Sequence, residues 1–489
     1  MLPKSLLAVA ALAIGPAQAL WPAPREASLG SKYLLIDQTV EVTYNGEPVR
    51  CPSLTPTPQA RDRDQQEHLA KTRFDFLDRL QQQLSYAVGY SPPKGTKFNS
   101  KDIVHGGLER AFSAIFQTGL VPWMLRDRNS DFDPPSNATH GRIASLVITQ
   151  TEEDDENTFK PVAGTVDESY KLSVSIEGEA ALEAASSTGI LRGLETFQQL
   201  FFKHSNGQSY YTPHAPVEIS DYPEYPHRGL LLDVGRHWFP LEDVKRTIDG
   251  LAMNKMNVLH FHVTETQSWP LEIPALPRLT ETGAYAKGLT YSPEQIAELY
   301  EYGVHRGVQV IMEIDMPGHV GVEEAYPGLT VAFAEQPYQW YCAQPPCGAF
   351  KMNNTDVEEF LDTLFDDLLP RINPYSAYFH TGGDEYKANN SLLDPALETN
   401  DHDVLQPMLQ RFLDHAHGKV REHGLIPFVW EEMLLEWNAT LGEDVVIQSW
   451  LGNDAIKEIA ESGRKVIDSN NNFYVCTPPQ LDHSPEDEY

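Results

Sequence analysis

The chain has 489 residues, 41% hydrophobic and 22% charged, which excludes a disordered protein and leaves room for a barrel plus an accessory domain. Aspartate and glutamate outnumber lysine and arginine 70 to 37, a formal charge of −33. Such a field repels nucleic acid and anionic membranes, so neither is an expected partner.

Residues 1–19 read as a secretory signal peptide. Lys4 supplies the positive start, Leu6 to Ile14 the apolar run and Ala17-Gln18-Ala19 the cleavage site. The apolar run is too short to span a bilayer, so no membrane span is expected and the protein is expected outside the cell. Sequons at Asn137, Asn353, Asn389 and Asn438 can be glycosylated only on that route. Cys342 and Cys347, in the Pro-rich loop "YCAQPPCGAF", read as a local disulfide. A thiolate metal pair would need two further ligands nearby. Cys51 and Cys476 have no evident partners.

Residues 20–222 read as a smaller α+β domain. Tyr170, Leu172, Val174 and Ile176 alternate as on a half-buried strand, and Ile190, Leu194, Phe197 and Phe201 share a helical face. Pro52 to Asp64 is polar and Pro-rich, a loop. "SDYPEYPHRG" (220–229) interrupts any regular element and marks the boundary.

From 223 to 476 short apolar runs alternate with amphipathic helices. The runs are 228–234, 256–263, 308–316, 377–383, 426–432, 445–450 and 465–470. Ser292-Pro293-Glu294-Gln295 is a capping box with proline at the first helical position, and Gly307 follows that helix. Between the fifth and sixth runs there is no room for a full helix. This beat predicts α/β architecture, a (β/α)8-type TIM barrel, with a doubly wound sheet as the alternative. No glycine-rich phosphate fingerprint follows the first run, which argues against a nucleotide fold. Seven runs are counted, one short of eight, and 477–489 reads as a polar tail.

A barrel carries its chemistry at the C-terminal ends of its strands. Those ends offer Asp233 and Arg236; His260, His262 and Glu265; Glu313, Asp315 and His319; His380, Asp384 and Glu385; Trp430 and Glu431; Trp450; and Tyr474. Singly, each has a structural reading: a buried histidine, a core tryptophan, a helix-capping aspartate. Their convergence from seven strand ends points to a site. Asp384 and Glu385 are chain neighbours, whereas the usual glycosidase pair faces across the sugar from separate strands.

The sequence resembles the glycoside hydrolase family 20 β-N-acetylhexosaminidases in their secreted fungal form. "HTGGDEY" carries the resemblance most specifically. "GILRGLETFQQL", "RGLLLDVGR", "NVLHFHVTETQSWPLEIP", "EIDMPGH" and "QSWLG" match in order. The resemblance implies a retaining, substrate-assisted reaction, in which the sugar's own 2-acetamido oxygen attacks the anomeric carbon to give an oxazolinium ion. Glu385 would be general acid, then base. Asp384 would orient the acetamido N–H. Adjacent residues on a strand point to opposite faces, which would let the two carboxylates diverge, with Gly382 and Gly383 permitting the turn. Arg228 would bind sugar hydroxyls, Trp430 and Trp450 would wall the acetamido pocket, and Tyr474 would donate to the acetamido oxygen. Asp315, His319, His380 and Glu265 would form the supporting shell. The implied partner is a carbohydrate: β-linked GlcNAc or GalNAc glycans, or chitooligosaccharides. No cofactor and no metal are expected, and a homodimer stays open.

Two departures stand out. The family usually carries aspartate at Glu265, and its seventh strand ends Tyr-Leu-Asp where this chain reads Tyr474-Val475-Cys476. The family's eighth strand is not read here, implying a C-terminally shortened chain. Two alternatives follow: a truncated, weakly active or inactive relative that only binds GlcNAc sugars, and a metal-dependent amidohydrolase built on His260-x-His262.

Overall fold

In the computed structural model, residues 20–49, 98–118, 133–134 and 141–470 are described. The signal-peptide expectation, Asn137, Cys51, Tyr474 and Cys476 fall outside them. No helix among the described residues is long and apolar enough to cross a membrane.

The first unit is a nine-stranded mixed sheet whose strands run from Glu26 to Asp221. The helices Ser100–Ser113 and Ser187–Gln198 pack on it. The strand Tyr170–Val174 buries Tyr170, Leu172 and Val174 in alternation; Ile176 lies beyond its end and is exposed, a correction to the sequence reading. Ile176 and Glu177 form a turn, so the alternation ends with the strand. Ile190, Leu194 and Phe197 bury one face of the second helix, and Phe201 is buried just after it. Ile103 and Leu191, on the two helices, join the core of the second unit instead, so the helices are shared between units.

The second unit is a seven-stranded parallel sheet in simple order, with helices between its strands. The strands are β1 (Gly229–Asp233), β2 (Val258–Thr264), β3 (Gln309–Ile314), β4 (Tyr378–His380), β5 (Ile426–Trp430), β6 (Val446–Ser449) and β7 (Lys465–Asp468). The helices are α1 (Leu241–Met253), α2 (Pro293–Val304), α3 (Thr355–Ile372), α4 (His402–Glu422), α5 (Glu432–Leu435) and α6 (Asn453–Glu461). All seven expected runs form strands, and α5 is the single short turn that the spacing between runs five and six allowed. β2 and β3 are buried at every position, as parallel strands covered on both sides must be. The Ser292 capping box forms: its side chain accepts from Gln295 N–H, and the Gln295 side chain accepts from Ser292 N–H. The fold is that of a TIM-type barrel. Among the described residues, β1 and β7 each have one paired neighbour in this sheet.

Buried ion pairs fasten the two units. Glu168 accepts from Arg192 Nε at 2.8 Å and Arg228 Nη2 at 2.6 Å. Lys255 Nζ donates to Asp221 at 2.9 Å and to the Tyr170 hydroxyl at 2.8 Å. All this lies at the N-terminal ends of β1 and β2, leaving the C-terminal ends for chemistry.

Candidate active site

β4 stops at His380, and Thr381-Gly382-Gly383 turns the chain sharply. Gly382 (φ +68°) and Gly383 (φ +108°) lie in the left-handed region. A Cβ on Gly382 would stand 1.8 Å from Asp315 Oδ1, and one on Gly383 would stand 2.6 Å from Met433 Cγ. Gly383 N–H donates to Asp315 Oδ1 at 2.7 Å, Gly382 N–H to His380 Nδ1 at 2.9 Å, and Trp430 N–H to the Gly382 carbonyl at 3.0 Å. Asp384 and Glu385 therefore sit past the strand. Strand alternation does not separate them; the turn does, with Glu385 itself at φ +53°. This corrects the sequence reading.

The two carboxylates meet on one imidazole. His319 Nε2 lies 3.2 Å from Glu385 Oε2 and 3.9 Å from Asp384 Oδ2. Its Nδ1 donates to Glu265 Oε2 at 3.0 Å. Burial works against charge on His319, but Glu265 and Asp384 outweigh it and hold the ring well above its usual value, as an imidazolium. The side chains of Asp384 and Glu385 are 19% and 25% exposed, against 0% for Glu265 and Glu313. Only the adjacent pair of these four is open to a substrate.

Burial raises Asp384 and Asp315 above the usual carboxylate range, and the Asp384 charge beside it raises Asp315 further. The His319 cation draws Asp384 back down.

Beneath lies Glu313. Its Oε2 accepts from His260 Nε2 at 2.7 Å and His262 Nδ1 at 2.6 Å, and its Oε1 accepts from Trp430 Nε1 at 2.7 Å. Burial would raise this carboxyl; the His262 charge and the donors hold it well below the usual range instead. His262 gives its other nitrogen to Glu265 Oε1 at 2.9 Å and is held well above its usual value, against burial, by Glu313 and Glu265. Burial pushes His380 down to about 3, so its ring is neutral. The ring stacks at 4.8 Å on His260 and lies 5.1 Å from Trp430.

His260, Glu313 and His380, and separately Glu265, Asp315 and His319, each bring one ligand atom within 4.8 Å of the others, close enough to surround a cation. His262 and His319, however, offer carboxylates a donor from both ring nitrogens and keep no lone pair for a metal. The amidohydrolase reading finds no support in that donor set.

Most of the expected residues are thus brought together: Asp384, Glu385, Asp315, His319, Glu265, His380 and Trp430. Trp450, half-buried just past β6, donates from Nε1 to Glu432 Oε1 at 2.9 Å. Arg228 is not brought here. It precedes β1, roughly 16 Å of strand from the site. Its guanidinium is taken by Glu168 and by the carbonyls of Tyr225 (2.7 Å) and Lys255 (2.9 Å). The arginine at the site end of β1 is Arg236, which donates to Asp233 Oδ2 at 2.7 Å and pairs with Glu265 Oε1 at 2.8 Å. Sequence reading saw Arg236 and Glu313 at strand ends without giving them roles, and it missed Glu432. The doubled acid of "WEE" was the available signal for the last.

Beyond the site, Cys342 and Cys347 form the expected disulfide. Its loop lies beside the cluster: Arg236 Nε donates to Gln344 Oε1 at 2.8 Å, and Lys387 Nζ to the Cys342 carbonyl at 2.9 Å. Asn353 and Asn438 are exposed and Asn389 is half-buried.

A parallel β/α sheet with a carboxylate–histidine cluster at its C-terminal edge is the arrangement of a TIM-barrel enzyme. Residues 225–488 match the glycosyl hydrolase family 20 catalytic domain, and residues 20–200 match a "beta-acetyl hexosaminidase like" domain. A beta-hexosaminidase of Arthroderma benhamiae is 37% identical over 462 residues, 93% of this chain and 74% of that protein. The chain belongs to glycosyl hydrolase family 20. A chitooligosaccharidolytic beta-N-acetylglucosaminidase of Ostrinia furnacalis is 32% identical over 62% of this chain and 54% of its own length. In fold, the chain resembles the chitobiase of Flavobacterium johnsoniae (TM-score 0.67, 24% identity, 96% of this chain, 63% of that one). It also resembles an exo beta-N-acetylglucosaminidase of Vibrio harveyi (TM-score 0.62, 21% identity, 92% of this chain, 60% of that one). The chain thus spans less than two thirds of those solved relatives.

Proposed function

We propose that the protein is an exo-β-N-acetylhexosaminidase. It releases terminal non-reducing GlcNAc or GalNAc from chitooligosaccharides or glycans, with retention. The observation that carries this reading is the placement of Asp384 and Glu385. They come from one turn and each brings an oxygen to the same nitrogen, His319 Nε2, at 3.9 and 3.2 Å. In the two-carboxylate scheme the nucleophile and the acid instead face each other across the sugar. A pair on one side leaves the nucleophile to the substrate.

In this mechanism Glu385 protonates the glycosidic oxygen as the 2-acetamido oxygen attacks the anomeric carbon. Asp384 accepts from the acetamido N–H and so aims the carbonyl oxygen. Its negative charge faces the positive charge that builds on the oxazolinium ring. Glu385, now ionised, takes a proton from the water that opens the ring. Asp315 and His319 hold Asp384 and Glu385 in place. Trp430, pinned by Glu313, gives the pocket a flat apolar wall.

Chitooligosaccharides are the first natural substrates to try, given the name of the Ostrinia relative. The N-terminal residues and the sequons support a secretory route. The test of function is hydrolysis of an aryl β-N-acetylglucosaminide beside the plain β-glucoside. Turnover of the first only is expected. Equal turnover of both would refute the reading, because the glucoside has no internal nucleophile.

A further inference from the structure

Immediately after Trp430 and Glu431, the chain enters α5 with a second glutamate, Glu432, which is 4% exposed. Glu431 is fully committed: Ser449 Oγ donates to one oxygen and Leu451 N–H to the other, the latter at 2.7 Å. Glu432 is not. Its Oε1 accepts from Trp450 Nε1 at 2.9 Å, and its Oε2 is buried with no partner among the described residues. A buried carboxylate with one donor is badly solvated. It also faces two more acids, Asp384 from the β4 turn and Glu431 from its own element. Desolvation and the Asp384 charge push Glu432 up to about 8, so at neutral pH and below it carries a proton. A neutral carboxyl accepts from an indole without adding charge beside Asp384.

The tryptophan it holds is placed to matter. Trp450 lies just past β6, next to β5 and its Trp430, and it is only half-buried. Its N–H edge is fixed by an acid. Trp430 is held in the same way by Glu313. Two indoles on neighbouring strands thus each have a glutamate fixing the plane of the ring.

We propose that Glu432 is a positioning residue: by holding the Trp450 indole it fixes the wall of the pocket and thereby sets the size of N-acyl group the enzyme accepts. This rests on the function proposed above. Glu432 touches no reacting atom in this scheme and acts through Trp450. A slack indole would admit larger acyl groups and hold the acetyl group less well.

The test compares the wild type with Glu432→Gln, which keeps an acceptor for Trp450, and Glu432→Met, which fills similar space without one. Kinetics on aryl N-acetyl- and N-butanoyl-β-glucosaminides are read beside the indole N–H resonance of Trp450, assigned by its loss in Trp450→Phe. Loss of one hydrogen bond should raise KM for the N-acetyl substrate about three- to tenfold in Glu432→Met. Its preference for acetyl over butanoyl should shrink by a similar factor, kcat should change less, and the Trp450 resonance should move. Glu432→Gln should recover most of each effect. If Glu432→Met keeps both KM and acyl preference, or loses both substrates equally without moving the Trp450 resonance, the proposal is wrong. A wild type that cleaves neither substrate refutes the proposed function instead. The resonance then still reports whether Glu432 holds the indole.

Discussion

His319 Nε2 stands 3.2 Å from Glu385 Oε2, and both residues hold the left-handed backbone conformation at φ +53°. Each such non-glycine residue costs on the order of 1–3 kcal/mol, which the surrounding packing must offset. Here Asp315, Glu265 and the Gly382–Gly383 turn fix both ends of the contact. A general acid held this firmly is already in place when substrate arrives.

Removing that acid should discriminate between leaving groups. Glu385→Gln should lower kcat/KM by about 10²–10⁴ on natural disaccharides. It should lower it much less on aryl glycosides whose leaving groups need little protonation. Asp384→Asn should hurt both substrate types, because it disturbs ring closure. Identical leaving-group dependence in the two variants would refute the division of roles.

Gly382→Ala should cripple the enzyme although it adds only a methyl group. The new Cβ would fall 1.8 Å from Asp315 Oδ1, at φ +68°. Left-handed backbone adds about 1–2 kcal/mol, and displacement of Asp315 passes to Asp384. A misplacement of about 1 Å costs about 10²-fold in rate. Denaturant unfolding and kcat should fall together; a variant with normal kcat would contradict the packing described here.

Glu313→Leu should destabilise the fold by about 3–5 kcal/mol, the cost of breaking a buried charge pair. It strands the His260, His262 and Trp430 donors at once. Equilibrium denaturation measures this, and a loss under about 1 kcal/mol would mean that the cluster relaxes freely.

Stability should peak in mildly acidic solution. Glu265 and Glu313 are held below their ordinary value of 4.5, so their contribution is complete above that pH and is lost as pH falls through their lower folded values. His262 and His319 are held above 6.5, so theirs is complete below that pH and is lost as pH rises through their higher folded values. Asp315, Asp384 and Glu432 are also held above their ordinary values and, like the imidazoles, lose their contribution as pH rises. The thermal midpoint should therefore be highest near the acidic end of the window between those two pH values, at about pH 4.5, and decline on both sides. His319→Asn should flatten the alkaline decline. A midpoint that climbs from pH 6.5 to 9 would oppose this account.

The inner strand runs, β2 to β6, were legible because parallel strands buried on both sides read as continuous apolar stretches, and a helix was legible because Ser292 and Gln295 announce it. The carboxylates were legible from "HTGGDEY". Less legible was how they are aimed. The sequence suggests strand alternation, but the strand stops at His380 and glycine backbone takes over. Arg228 misled for a related reason: it begins its strand, and a buried acid 60 positions earlier, Glu168, claims its side chain. Such a pairing between units leaves no local pattern. Glu432 went unnoticed because only its packed surroundings distinguish a neutral anchoring acid from a solvated one.

Participation by the substrate's acetamido group is the central claim. It is tested most directly by aryl β-glucosaminides bearing acetyl, fluoroacetyl, difluoroacetyl and trifluoroacetyl groups on nitrogen. Each fluorine weakens the carbonyl oxygen as a nucleophile while changing size little. The account predicts a steep, monotonic fall in kcat along the series. A kcat that stays flat from acetyl to trifluoroacetyl would contradict it and require a nucleophile supplied by the protein.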